Sequence, residues 1–113
     1  MYELIAGGDR SMLRLILVKP EGVVDECIAA HAKERPEAEL IDAWLRRQGV
    51  QWSSITRVGG LTVSHSHTSV RVMTTLLRTA AWYSGVPFTE LPQDRSLTER
   101  PPADLLAELN SAK

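Results

Sequence analysis

The segment Met12 to Lys19 (MLRLILVK) constrains this chain most. It is rich in leucine, isoleucine and valine, only Arg14 interrupts it before its end, and it is too short for a helix. Such a run suits a strand buried on both faces. Tyr2 to Ala6 is a shorter apolar run, and Gly7-Gly8-Asp9 between the two accepts the positive φ of a tight turn, so a hairpin is expected. Pro20-Glu21-Gly22 signals a second turn, and Val23 to Ala29 a third strand. The opening therefore reads as a three-stranded meander.

The period then changes. Pro36 suits a first helical turn and Gly49 the position just past an end, which brackets a helix over Pro36 to Gln48. Leu40, Ile41, Trp44 and Leu45 make its apolar stripe, while Asp42, Arg46 and Arg47 point elsewhere. Ile55 to Leu61 reads as a strand whose Gly59-Gly60 end approaches another backbone closely. Ser69 to Ser84 contains no Gly or Pro and is followed by Gly85, so it reads as a second helix, with Ser66 or Thr68 available as its cap. Val86 to Phe88 reads as a last short strand. Beyond Pro92 the chain turns polar, Pro101-Pro102 breaks it, and Asp104 to Asn110 forms an amphipathic tail helix through Leu105, Leu106 and Leu109.

The resulting order is β-β-β-α-β-α-β. Strands joined through helices lie parallel, while the meander is antiparallel, so one mixed five-stranded sheet with two main helices alongside is expected. That is the arrangement of the ribonuclease H-like and actin-like ATPase half-domain, an α/β class. Residues 1–92 make up the half-domain and residues 93–113 a polar tail carrying the short helix.

At 113 residues with 43% hydrophobic and 24% charged side chains, the chain has room for one domain of ordinary globular composition. Its net charge of -1 provides no global field for steering a polyanion, which disfavours unaided nucleic-acid binding. The scatter of Arg35, Arg46, Arg47, Arg57, Arg71 and Arg78 reads as solvated surface. Cys27 is the single cysteine and closes no intrachain disulfide, and no basic-then-apolar leader opens the chain, so a cytoplasmic location is expected. No apolar run approaches the ~18 residues of a membrane span.

From Gly49 to Pro87 the segment GVQWSSITRVGGLTVSHSHTSVRVMTTLLRTAAWYSGVP is similar, without a gap, to the middle of the TsaB (YeaZ) family. There a helix ends at a glycine, and a strand leads through a Gly-Pro-Gly-Ser-Phe-Thr-Gly-Leu-Arg loop into a second helix that closes with Gly-Ile-Pro. Ser66, Thr68 and Arg71 stand at the Ser, Thr and Arg of that loop, and Gly85-Val86-Pro87 at the closing tripeptide. Leu40-Ile41-Asp42 resembles the Leu-Ile-Asp of the first helix, and Tyr2 to Leu17 the opening strand pair. The resemblance covers about the first 90 residues, the length of that family's N-terminal half-domain.

The resemblance implies a non-catalytic partner of a TsaD-type subunit, working with TsaE in threonylcarbamoyladenosine modification of tRNAs that read codons beginning with A. The two N-terminal half-domains of such a pair meet through their helices. This places Leu40, Ile41, Trp44, Met73, Leu76, Leu77 and Ala80 in or near a docking surface, with tRNA touched only indirectly and a homodimer as the alternative pairing. No cofactor is expected. Two loops depart from the family pattern: Gly7 stands where many actin-like domains carry an acidic residue, and Val63-Ser64-His65 replaces the Gly-Pro-Gly. The second half-domain, which completes the nucleotide cleft, has no counterpart in these residues.

The second helix supports docking on its own terms. Val70, Met73, Leu77 and Ala81 make one stripe, and Val72, Leu76, Ala80 and Tyr83 another about a third of a turn away, more apolar surface than one sheet face covers. Either a partner buries the surplus, or the first helix and the tail helix do so within the chain. Trp44 and Trp82 divide in the same way between interface anchors and core.

Ser64-His65-Ser66-His67 carries the alternatives. In an extended segment His65 and His67 point the same way and can share a divalent metal, with His31, Asp9 or Cys27 as further ligands, giving a small metal-binding protein or hydrolase. The plainer alternative is a solvent-facing pair ahead of a helix. Ser66, Thr68 and Arg71 similarly form either a small anion site at the helix start or a cap alone. A structural homodimer unrelated to tRNA is the remaining reading.

Overall fold

The computed structural model describes residues 2–8, 12–19, 24–30, 37–63, 67–93 and 100–111. Five strands and three helices follow in the order β1 (Tyr2–Gly8), β2 (Met12–Val18), β3 (Val24–Ala30), α1 (Glu37–Arg47), β4 (Ile55–Val63), α2 (His67–Ser84), β5 (Phe88–Gln93) and α3 (Pro102–Ser111), with a 3-10 turn over Trp52–Ser54. The spatial order of the sheet is β3-β2-β1-β4-β5. β1, β2 and β3 are antiparallel neighbours, while β4 runs parallel to both β1 and β5.

Period-two alternation sorts the strands onto two layers. Leu4 and Ala6 of β1, Leu13, Leu15 and Leu17 of β2, and Val58 of β4 meet Ile41, Trp44 and Leu45 of α1 and Met73, Leu77 and Ala81 of α2. The alternate residues Ile5, Ile16, Val18, Leu61 and Leu91 meet Leu105 and Leu109 of α3 on the other face. The apolar run of β2 is thus buried on both sides, as its composition requires.

Several local readings change. Gly7 and Gly8 are buried strand residues, paired with Arg14 and Leu13, and so are not part of the expected tight turn, whose Asp9 lies outside the described residues. Two-sided pairing in the middle of the sheet outweighs the turn preference of the glycines. The last strand starts at Phe88, after Pro87, and continues to Gln93, past a boundary at residue 92. The tail helix packs beneath the sheet, opposite α1 and α2, and so does not cover the surplus apolar surface of α2.

Both main helices stop at a left-handed glycine. Gly49 and Gly85 have φ of +72° and +70°. The amide of Val50 donates to Leu45 O (2.9 Å) and that of Val86 to Ala81 O (2.9 Å), the 6→1 bond of the Schellman motif. Val50 and Val86 then pack on the same core as the helices that they follow. This termination brings the C-terminal ends of α1 and α2 to the edge of the sheet where β4 and β5 begin.

Candidate functional site

α2 packs along β1, β4 and β5, and its depth there is set by a glycine. A Cβ on Gly60 would lie 2.7 Å from Phe88 Cζ, so glycine is what lets the Phe88 ring sit against β4 beneath α2. The next glycine does the same on the opposite face, where a Cβ on Gly59 would meet Leu91 Cδ1 at 2.9 Å and Leu109 Cδ1 at 3.4 Å. The close approach expected at this pair is therefore made by side chains rather than by a second backbone.

With that seat fixed, the stripes of α2 separate. Met73, Leu77 and Ala81 are buried in the core, Leu76 and Ala80 are half-buried, and Tyr83 is 84% exposed. Trp82 beside it is 78% exposed, and the two rings meet edge to face with centroids 6.1 Å apart. Val70 and Val72 lie on α2, but their side chains are outside the described residues. The outer face from Thr75 to Ser84 carries no carboxylate, and its one cation, Arg78, donates to Glu90 Oε1 at 2.9 Å and lies 5.3 Å over the Phe88 ring.

The seven residues expected at a docking surface thus divide. Ile41, Trp44, Met73 and Leu77 are closed into the core of the chain itself, because the stripe that they define is the one facing the sheet. Leu40, Leu76 and Ala80 remain half-buried. Trp44 is core and Trp82 is surface. Sequence reasoning left Trp82 undecided; its place, opposite the core stripe of an 18-residue helix, is the signal that marks it as exposed.

The loop candidates are only partly in view. Ser64, His65 and Ser66 lie outside the described residues, and the side chains of His67, Thr68 and Arg71 do as well. His67 opens α2, so the strand alternation that would align it with His65 does not run through it. Among the described residues no three His, Cys, Asp or Glu side chains converge as a metal site would require. Gly7, at the place of the acidic residue in many actin-like domains, is buried between Arg14 of β2 and Leu61 of β4.

Charged side chains mostly pair within the fold. Arg57, read from sequence as solvated, pairs with Glu3 across β1 and β4, donates to Leu109 O (3.3 Å) and bonds the Asn110 side chain, tying the last turn of α3 to the sheet. Arg100 pairs with Glu108 at 2.7 Å. A notch of about 200 Å³ at the end of α1 is lined by Asp42, Leu45, Arg46, Val50, Gln51 and Trp52. Its carboxylate already accepts from Trp52 Nε1 (2.9 Å) and Arg46 (3.4 Å). No helix among the described residues is long and apolar enough to cross a membrane.

A mixed sheet ordered β3-β2-β1-β4-β5, with two helices on one face and a third on the other, is an α/β half-domain of the ribonuclease H-like, actin-like ATPase type. Among solved structures it is similar to YeaZ from Pseudomonas aeruginosa (TM-score 0.71, 14% identity, 80% of this chain and 42% of that one). It is also similar to an uncharacterized protein with similarity to peptidase YeaZ from the same organism (TM-score 0.64, 16% identity, 80% and 43%). A third likeness is to T. thermophilus RuvC in complex with Holliday junction substrate (TM-score 0.51, 14% identity, 81% and 64%). The chain spans less than half the length of the two YeaZ-type structures, and at these identities the likeness establishes the fold. No family model and no curated protein matches the sequence.

Proposed function

We propose that this chain is a non-catalytic, TsaB-like docking lobe that engages a TsaD-type subunit through the outer face of α2 and so supports threonylcarbamoyladenosine modification, meeting tRNA only within that assembly. The observation that carries this reading is the stretch of α2, free of carboxylates and with Arg78 paired to Glu90, in which half-buried Leu76 and Ala80 run on to exposed Tyr83 and Trp82. The sequence resemblance to TsaB and the fold shared with YeaZ support a TsaD-type protein as the choice of partner.

Magnitudes limit how such a face works. Burying one exposed aromatic ring removes roughly 150–200 Å² from water, about 4–5 kcal/mol gross at ~25 cal/mol per Å². Association costs on the order of 4–15 kcal/mol. Two such rings recover gross energy of the same order as that cost, so Trp82 and Tyr83 anchor the complex and half-buried Leu76 and Ala80 add to it.

Mixing the purified chain with the TsaD-type protein of the same organism tests this reading. The expected result is a co-eluting complex at micromolar concentration that Leu76→Asp abolishes, because an unpaired carboxylate is then buried at the contact. Separate elution of the two proteins at that concentration refutes it.

A further inference from the structure

The two margins of the sheet are guarded differently. β5 closes one side and carries Pro92, which cannot donate to a ladder. β3 closes the other, and among the described residues no strand lies beyond it. An edge strand of this length is ordinarily kept from pairing by proline, lysine or a free charge. β3 (VDECIAA) has neither proline nor lysine, and both of its charges are neutralised from the side of β2. Asp25 pairs with Lys19 at 2.8 Å, and Glu26 pairs at 2.5 Å with Arg14, whose own side chain is 2% exposed. Ile28, on the same strand, is 52% exposed.

We propose that β3 pairs antiparallel with β3 of a second copy of this chain, about a two-fold axis at Cys27, joining two five-stranded sheets edge to edge. Cys27 is the central residue of the seven, so this axis alone pairs the strand over its full length. The same register sets Glu26 opposite Ile28 and Asp25 opposite Ala29, leaving no carboxylate facing another. Moving the axis to Glu26 or Asp25 brings like charges face to face, which is unfavourable for directly opposed residues. α2 packs on β1, β4 and β5, away from this margin, so the pairing leaves the docking face open and does not depend on it.

Sedimentation of the full chain, combined with a short thiol-specific cross-linker, tests the pairing. Opposed residues in an antiparallel ladder have Cβ atoms about 4.5–5.5 Å apart, and the single cysteine makes any cross-link Cys27 to Cys27. The expected result is a micromolar dimer that cross-links and is unaffected by Leu76→Asp. Ile28→Glu, which in this register sets two carboxylates face to face at the Glu26 position on either side of the axis, is expected to weaken it by about tenfold or more. A monomer throughout the micromolar range, a dimer that does not cross-link, or one lost with Leu76→Asp and kept with Ile28→Glu overturns the proposal. If Ile28→Glu does not fold, the wild-type cross-link and the Leu76→Asp dimer decide. Loss of binding to a TsaD-type protein bears on α2 alone and leaves this result standing.

Discussion

The sheet face beneath α1 and α2 is filled by side chains from β1, β2 and β4 interlocked with two helices, whereas the face beneath α3 is closed by a ten-residue helix contributing two buried leucines. The first face is held mainly by apolar packing, with Arg78 of α2 paired to Glu90 of β5 at its surface. The second adds polar anchoring: Arg57 joins β1, β4 and the last turn of α3, and the buried Arg14 shares that face with Ile16. The difference leaves exposed apolar surface on α2 but not on α3's inner face. One stripe of α2 faces the core, Leu76 reaches that core only in part, and Trp82 and Tyr83 lie outside it.

Truncations rank the two faces. Leu77→Ala, at a fully buried site between α2 and the sheet, is expected to cost about 3–4 kcal/mol. Leu109→Ala, equally buried but on a ten-residue helix seated by two buried leucines and so able to shift toward the gap, is expected to cost about 2–3 kcal/mol. Denaturant midpoints at unchanged m-value check both. Equal losses would show that α3 is as rigidly seated as α2.

Filling, rather than emptying, sharpens the same contrast. A Cβ at Gly60 meets the rigid Phe88 ring, which Arg78 covers, so Gly60→Ala is expected to destabilise by about 2 kcal/mol through overpacking. A Cβ at Gly59 meets mobile methyl ends of leucine on the α3 face, and Gly59→Ala is expected to cost about 1 kcal/mol. Thermal melts of the two variants side by side provide the comparison.

The polar clamp gives a smaller effect with a local signature. Arg57→Gln removes the partner of a part-exposed Glu3 and a donor to the end of α3, for about 1 kcal/mol in global stability. Amide exchange should quicken in α3 while the amides of α2 keep their protection. Uniform acceleration across both helices would mean that α3 unfolds only with the whole domain.

What the sequence discloses follows from how local each determinant is. The ends of α1 and α2 were legible because Gly49 and Gly85 mark a left-handed residue that few other side chains adopt. The double-sided burial of β2 was legible from its unbroken apolar run. Gly7 and Gly8 misled because the same residue type serves a turn or a crowded strand, and pairing of both with β2, and of Gly7 also with β4, decided for the strand. β5 was placed too early for a related reason: Pro92 argues against a strand unless that strand is known to be marginal, and the order of strands is a long-range property. The docking residues were half legible. Spacing located two apolar stripes on α2, but which of them meets the sheet depends on where Gly60 and Phe88 let the helix sit. Arg57 was missed because its partners, Glu3 and Leu109, lie at the two ends of the chain.

The smallest stability effect belongs to the residues with the largest expected role in recognition. Trp82 and Tyr83 project from the last turns of α2 and stack on each other rather than on the core, so Trp82→Ala and Tyr83→Ala should each leave the melting transition within ~0.5 kcal/mol of the parent. Large aromatic side chains at the centre of an interface commonly contribute 2 kcal/mol or more, so each change should weaken binding of a TsaD-type partner by about thirtyfold. Titration calorimetry of the two variants against that partner, beside their melts, separates recognition from folding. A variant that loses stability in step with affinity would place these rings in the core, and one that keeps full affinity would move the contact away from the end of α2.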